Sequence, residues 1–499
     1  MDVVNNLILG FSVALSWTAL YYCLVGVTLG TLVGVLPGVG TLAAVALLMP
    51  LTFELEPTIA LIMLAGIYYG AAYGGSTASI LLNLPGTANT AVSAFEGYPM
   101  AKSGRAGVAL FMTTIASFAG SIFGLIILMF FAPQLAKVAL KFGSPEYFSL
   151  MVLGLLAASL LSAKSPSKAL SMVVFGLLIG SVGTDPNSGF IRFSFGVPSL
   201  FEGFSLVAVV LGLFGMHEVI SNAGHMRSAS INSKDITLRS LMPTRQDWKD
   251  SFKPMARGGG LGAFFGALPG TGGAVATFVS YATERKLAKN PERFGNGAIE
   301  GLVGPETSNN AAIQTAFIPT LTLGIPGDVV MALILATLII HGIQPGPAMI
   351  PQNPALFWGL AASFFVGNIM LLVLNIPMIG VWVRLLTIPY KYLFPTIIVF
   401  VCIGVYSINS STFDVWLVAG FSLLGYFMVK FGFEPAPVLL GMILGPMLEE
   451  HLRRSMLISR GDPMVFIDRP ISAIFLILTL SLISIFAWSG YRKRAKGRA

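Results

Sequence analysis

Residues 30–40 read GTLVGVLPGVG and residues 262–272 read GAFFGALPGTG, so one glycine and proline pattern occurs in both halves of the chain. A second pair follows, since residues 82–86 read LNLPG and residues 323–327 read LGIPG. Internal similarity of this kind predicts a duplicated fold. Interruptions at matching places in two apolar halves are typical of the binding sites of membrane transporters.

The composition indicates a membrane protein. Of the 499 residues, 55% are hydrophobic and 10% are charged, whereas a soluble domain carries about 25% charged residues. Several uncharged stretches are long enough for the ~20 apolar residues that cross a bilayer: 3–53, 57–95, 107–136, 307–327 and 355–383. We expect roughly ten to twelve spans or half-spans and therefore an all-α polytopic membrane protein.

The basic residues lie in connectors between apolar segments. The positive-inside rule places the loop 222–257 and the tail 491–499 in the cytoplasm. These two segments delimit a first membrane repeat at 1–221 and a second at 258–490. The net charge of +8 then indicates contact with anionic lipid rather than with nucleic acid.

Other protein classes find no support in the sequence. Cys23 and Cys402 both lie in apolar runs, which argues against a disulfide framework and a metal cluster. No basic residue precedes Lys102, so the first apolar stretch lacks the basic region of a cleavable signal peptide. Neither a phosphate-binding loop nor a zinc-protease motif is found, and we expect no enzyme activity.

The segment 258–283 is flanked by basic stretches on both sides. Both ends therefore belong on one side of the membrane, which predicts a re-entrant hairpin with Pro269, Gly270 and Gly272 at its tip. The first-half counterpart, 26–50, would have its tip at Pro37, Gly38 and Gly40. Inverted repeats are expected, as in carriers with broken helices, but a parallel duplication stays open.

Polar residues cluster beside the two Pro-Gly breaks. Unwound backbone is costly in lipid unless a cavity, solute or ion satisfies it, and inward-pointing helix N-termini favour an anion. The alternative for each single hydroxyl is a bond to its own backbone. The predicted substrate- or ion-binding residues are Ser76, Thr77, Asn83, Pro85, Gly86, Thr87, Ser308, Asn309, Asn310, Gly324, Pro326 and Gly327.

Three ionisable residues have two interpretations each. Glu306 and Asp328 are functional candidates because ionisable groups are rare at membrane depth. Glu306 follows Pro305, however, and Asp328 follows Pro326 and Gly327, so each would also suit a helix cap. His341 is either a proton relay or a hydrogen-bonded residue at a helix end.

These residues resemble the large membrane subunit of tripartite tricarboxylate transporters. The similarity covers nearly the whole chain and rests on 30–40, on 68–86 with its YGGST core, on GYPMAK at 97–102, on PETSNN at 305–310, on LTLGIPG at 321–327 and on HGIQPGP at 341–347.

The resemblance implies a permease of the bacterial inner membrane that works with a small four-helix membrane subunit and a periplasmic solute-binding protein. It implies import of citrate or another carboxylate, coupled to a cation gradient, usually Na+, with no other cofactor. It also implies an ion-transporter-like fold with paired hairpins and elevator-like motion. A passive anion channel and an ion-coupled carrier without a binding protein stay open as alternatives.

Overall fold

The computed structural model describes residues 3–36, 40–83, 89–162, 165–185, 188–217, 220, 238–269, 272–385 and 390–496. The first part of the described chain contains nine α-helices: α1 (Val3–Ala14), α2 (Trp17–Val35), α3 (Thr41–Leu48), α4 (Pro57–Leu82), α5 (Ala91–Met100), α6 (Ala106–Ala139), α7 (Ser144–Ser162), α8 (Pro166–Gly180) and α9 (Leu206–Val210).

The second part of the described chain contains thirteen more: α10 (Arg245–Ala267), α11 (Gly272–Leu287), α12 (Ile299–Thr315), α13 (Phe317–Leu323), α14 (Val329–Ile340), α15 (Met349–Gln352), α16 (Pro354–Asn375), α17 (Ile379–Leu385), α18 (Tyr390–Asn409), α19 (Thr412–Lys430), α20 (Ala436–Ile458), α21 (Val465–Asp468) and α22 (Pro470–Lys496). Short 3₁₀ or π turns occupy Met49–Thr52, Ala101–Arg105, Pro198–Leu200, Leu211–Met216, Leu238–Leu241 and Pro291–Arg293.

The helices are those of a multi-pass membrane protein. Within the described ranges, five are long and apolar enough to cross a bilayer: Trp17–Val35, Pro57–Leu82, Asn89–Ala139, Pro354–Asn375 and Thr412–Lys430. Seven shorter apolar helices accompany them. The searched window of α4 is wholly buried in protein, so this helix is the centre of the bundle.

A small antiparallel hairpin, β1 (Gly183–Thr184) with β2 (Ile191–Arg192), connects α8 to α9. Asp185, at the end of β1, accepts from Arg192 and from Arg453 of α20, each at 3.0 Å. Arg192 also pairs with Glu449 of α20. The ion pairs therefore hold the hairpin against the charged end of α20.

Helices α2 and α4 touch through glycines. A Cβ at Gly26, Gly30 or Gly34 would lie within 3.0 Å of a backbone oxygen on α4, at Met63, Ile67 and Ala71 respectively. Because the residue numbers of these contacts rise along both helices together, α2 and α4 run parallel. Small residues at this spacing allow such close backbone packing in membranes.

Helices α10 and α12 pack in the same way. A Cβ at Gly258, Gly262 or Gly266 would lie within 3.0 Å of the backbone oxygen of Gly304, Ser308 and Ala312 respectively. These two helices also run parallel. Gly262 and Gly266, which the sequence analysis singled out, thus have the packing role of Gly30 and Gly34.

The central helices α4 and α12 run antiparallel. Tyr69 of α4 bonds Gln314 of α12, whereas Ser76, two turns further along α4, reaches back to Glu306. The residue numbers of these contacts rise along α4 while they fall along α12, so the two helices run in opposite directions.

Two further helices, α6 and α16, make contacts between the two halves of the sequence. A Cβ at Gly120 of α6 would meet the backbone of Thr307 in α12. Tyr73 of α4 bonds Asn368 of α16 at 3.1 Å. Each central helix therefore packs against a helix from the other half of the chain.

Helix α10 begins at Arg245, inside the connector expected at 222–257, because Thr244 and Asp247 form a capping box. Arg257 of α10 forms an ion pair with Glu284 of α11. Between the two helices the structure describes residues 268 and 269, where the chain bends after α10.

Candidate functional site

The centre of the bundle contains a carboxylate surrounded by hydroxyls. Glu306 of α12 is 1% exposed. The hydroxyl of Ser76 lies 2.9 and 3.0 Å from its two oxygens, and those of Ser93 and Ser117 donate at 2.7 and 2.8 Å. Asn310 Nδ2 adds a longer bond of 3.3 Å. Four elements, α4, α5, α6 and α12, thus converge on one acid.

All these donors are neutral. The ion pairs found among the described residues lie elsewhere, mostly at the ends of helices. A carboxylate buried without a balancing charge is expensive in an apolar interior. The arrangement can therefore hold a proton or a cation.

A second polar contact lies one turn along α12. Asn89 Nδ2 donates to Asn309 Oδ1 at 3.1 Å, and Gly273 in the first turn of α11 lies against both side chains. The chain after the first predicted break, the start of α11 and the middle of α12 therefore meet at Asn309.

The chain after the second break meets α4. Asp328 caps α14 by accepting from the backbone N–H of Met331 at 2.8 Å. The hydroxyl of Tyr68 donates to the same carboxylate. Just before it, the N–H of Gly327 donates to Thr320 Oγ1 at 3.1 Å, so a side chain satisfies backbone that the break has freed.

Both helices that precede the breaks end in a left-handed residue. Asn83 caps α4 with φ 56°, and Gly324 caps α13 with φ 70°. This conformation is common at helix C-termini and favours glycine or asparagine.

The structure brings together part of the predicted site. Ser76 and Asn310 contact Glu306, and Asn309 contacts Asn89. Pro326 and Gly327 are buried beside Asp328. The hydroxyl of Ser308 is buried with no hydrogen-bond partner in the described structure. Thr77, in contrast, bonds back to the carbonyl of Tyr73, which is the alternative kept for single hydroxyls.

Among the predicted hairpin tips, Gly40 precedes α3, Pro269 lies in the bend after α10, and Gly272 begins α11. The predicted residues that lie outside the described ranges are Pro37, Gly38, Pro85, Gly86, Thr87 and Gly270.

The structure decides between the interpretations of two ionisable residues. The cap interpretation of Glu306 is wrong, because Pro305 is accommodated inside α12 and Glu306 lies near the middle of that helix. The cap interpretation of Asp328 is confirmed. His341 ends α14 as expected, but its buried Nε2 has no hydrogen-bond partner in the described structure.

The sequence analysis missed several site residues. Ser93 and Ser117 bind Glu306 from α5 and α6, and Asn89 binds Asn309. Their signal was weak, since each is one small polar residue near or within an apolar stretch. Gln314 and Asn368 were missed as partners of Tyr69 and Tyr73.

Comparisons with known proteins agree with these observations. The family model described as "Tripartite tricarboxylate transporter TctA family" matches residues 20–440. An Agrobacterium vitis protein described as "Uncharacterized 52.8 kDa protein in TAR-I ttuC' 3'region" is 51% identical over 485 residues, 97% of this chain and 96% of that protein. Another, "Uncharacterized protein in TAR-II ttuC' 3'region", is 57% identical over 219 residues, 44% of this chain and 90% of that protein. No solved structure matches the chain.

Proposed function

The chain belongs to the tripartite tricarboxylate transporter TctA family, and we propose that it imports a carboxylate by alternating access as the permease of a binding-protein-dependent secondary transporter. The observation that carries the proposal is the buried polar centre where α4, α12 and the segments after both predicted breaks converge. Buried polar residues on interrupted helices are where carriers bind substrates and ions.

An inverted repeat is the arrangement that we propose for the two halves. Asn83 and Gly324, the left-handed caps of α4 and α13, lie 241 residues apart. Ile67 and Ser308 are also 241 residues apart, and their backbone oxygens contact a glycine of α2 and of α10 respectively. The corresponding helices α4 and α12 run antiparallel, as the contacts of Tyr69 and Ser76 require. This supports inversion over a parallel duplication.

The re-entrant hairpins are part of the same proposal. The Arg257–Glu284 pair ties the last turn of α11 to the middle of α10, while the start of α11 reaches Asn309. A helix that follows α10 and returns alongside it forms a hairpin whose tip meets the polar centre. By the proposed symmetry, α2 and α3 are the arms of the first hairpin.

The proposed substrate site lies between the polar centre and the hairpin tips, at Asn89, Asn309 and the first turn of α11. Amide donors and the N-terminus of α11 suit a carboxylate. We further propose a bacterial inner-membrane location, a cation gradient as the driving force, Na+ as the ion, and elevator-like motion. The proposed partners are a small four-helix membrane subunit and a periplasmic solute-binding protein.

Uptake of labelled carboxylates tests this proposal. Cells that express the permease with its small subunit and binding protein should accumulate a substrate such as citrate, and uptake should saturate and require the binding protein. Asn309→Ala should reduce uptake at least about tenfold with the same amount of protein in the membrane. The substitution removes an amide that can both donate and accept hydrogen bonds at the proposed site.

Thr77→Ala is the matched control. Thr77 is also buried, but its hydroxyl bonds only the carbonyl of Tyr73 in the described structure, so uptake should stay near the wild-type rate. Normal uptake by Asn309→Ala, or conduction without the binding protein, would contradict the proposed carrier site.

A further inference from the structure

The side chains around Glu306 provide a better environment for a carboxylate with a bound cation than for a carboxylate alone. The hydroxyl oxygens of Ser76, Ser93 and Ser117 each lie 2.7–3.0 Å from a carboxylate oxygen of Glu306. Carboxylate, hydroxyl and amide oxygens are the ligands of hard cations. Residues on four neighbouring elements therefore already place several such oxygens together.

One further oxygen at this place is unsatisfied. Asn310 is 1% exposed, and its Oδ1 has no hydrogen-bond partner in the described structure. Its Nδ2 donates to the backbone carbonyl of Glu306 at 3.0 Å and lies 3.3 Å from the Glu306 carboxylate, so this amide belongs to the same cluster. A buried acceptor without a donor is costly, and a cation would satisfy it.

The charge indicates which kind of cation fits. Glu306 supplies one negative charge, and its hydrogen-bond partners are neutral. Among the residues that the structure describes, no three acidic, histidine or cysteine side chains form a metal-binding group. One charge balances a monovalent ion, whereas a divalent ion would leave an uncompensated positive charge in the bundle.

We propose that Glu306, Asn310, Ser76, Ser93 and Ser117 form a binding site for one Na+ ion between the two halves of the chain. This inference rests on the proposed function, because a bound Na+ here is the ion that would couple the gradient to transport. The three serines come from the first half, and Glu306 and Asn310 come from the second. The ion would therefore hold α4, α5 and α6 against α12.

The site has no counterpart under the proposed symmetry. The position 241 residues before Glu306 is Ala65, which has no ligand group. Because only the second half has an acid at this position, we expect one Na+ per chain here rather than two.

Thermal unfolding of the purified full-length chain tests the site without substrate or partner proteins. The melting temperature should rise with NaCl, relative to choline chloride at the same ionic strength, and should saturate, because a ligand that binds only the folded state stabilises it. Glu306→Gln should abolish the rise. Ser93→Ala and Ser117→Ala should each raise the NaCl concentration of half-effect about tenfold or more, by analogy with lost supporting contacts at metal sites.

Asp414→Asn is the matched control, since it neutralises another buried carboxylate, which lies at the start of α19 and accepts from Asn409, and leaves these ligands intact. It should keep the wild-type NaCl midpoint. Equal melting temperatures in the two salts for the wild type, or an unchanged NaCl response in Glu306→Gln or in both serine variants, would overturn the site. Failure of carboxylate uptake alone would overturn the proposed function and leave the Na+ measurement standing.

Discussion

His451 shows how burial changes one side chain outside the apolar part of the bundle. It lies among charged residues of α20 and stacks on Tyr147, with ring centroids 5.0 Å apart. Burial lowers its pKa below the usual 6.5, Glu450 opposes this change, and Arg454 adds to it. Its Nδ1 is buried without a partner in the described structure, so the neutral ring is the form that fits.

This lowered pKa predicts a pH-dependent stability. Because the folded pKa lies below the unfolded value, the stabilisation is fully present above about pH 6.5 and is lost as the pH falls through the folded pKa. The melting temperature should therefore fall between pH 7.5 and pH 5. In His451→Phe, which keeps an aromatic ring on Tyr147 but does not titrate, the fall should be smaller. An identical pH profile in both proteins would contradict this assignment.

Single residues also mark the limit of sequence reasoning. The Pro-Gly breaks and the run 308–310 were identified because their composition is unusual inside apolar stretches. Ser93 and Ser117 were not, because a lone serine in a membrane helix usually bonds its own backbone. Only the packing of α5 and α6 against α12 directs them to Glu306.

At the scale of the helices, the regularly spaced glycines of α2 and α10 determine which helices pack together. Gly262 of α10 lies against the carbonyl of Ser308, whereas a Cβ at Gly260, two residues earlier, would have open space around it. The two glycines lie on one helix but differ in what surrounds them. This makes them a matched pair for testing the packing.

Gly262→Ala should destabilise the protein by about 1–3 kcal/mol, because the added methyl forces α10 and α12 apart. Gly260→Ala should be neutral or stabilising by up to about 1 kcal/mol, since alanine favours helix more than glycine. Thermal unfolding of both variants in detergent measures the difference. Equal stability of the two variants would mean that α10 and α12 do not touch at Gly262.

The elements themselves were only partly predictable. Apolar length indicated α2, α4, α6 and α16, and the glycine and proline repeat indicated the ends of α4 and α13. The start of α10 at Arg245 was not anticipated, since its first turns are charged and the capping box lies in a stretch interpreted as loop. Charge alone does not separate a connector from an amphipathic helix that leaves the membrane.

Across the whole molecule, the contacts and the basic connectors together predict which ends face which side. Lys164 precedes α8 and Lys168 lies in its first turn, which predicts a cytoplasmic start for this helix and a periplasmic position for the β1–β2 hairpin after it. Phe195, just after the hairpin, is 87% exposed, whereas Leu287, 58% exposed, ends α11 beside the basic stretch 285–293.

Cysteine labelling tests this orientation in a chain with Cys402→Ser, where Cys23 is buried. A membrane-impermeant maleimide should modify Phe195→Cys in intact spheroplasts. Leu287→Cys should react only after the membrane is opened. Labelling of both from outside, or of Leu287→Cys alone, would reverse or refute the predicted orientation.

The bond between Tyr73 and Asn368 joins residues 295 positions apart. At a synthesis rate of ~5–20 residues per second, α4 waits about 15–60 s before α16 leaves the ribosome. During that interval the hydroxyl-bearing face of α4 lacks its final neighbour while the helix is already at the membrane. Until then the hydroxyl of Tyr73 is without this partner, and an unsatisfied polar group is costly in the membrane interior.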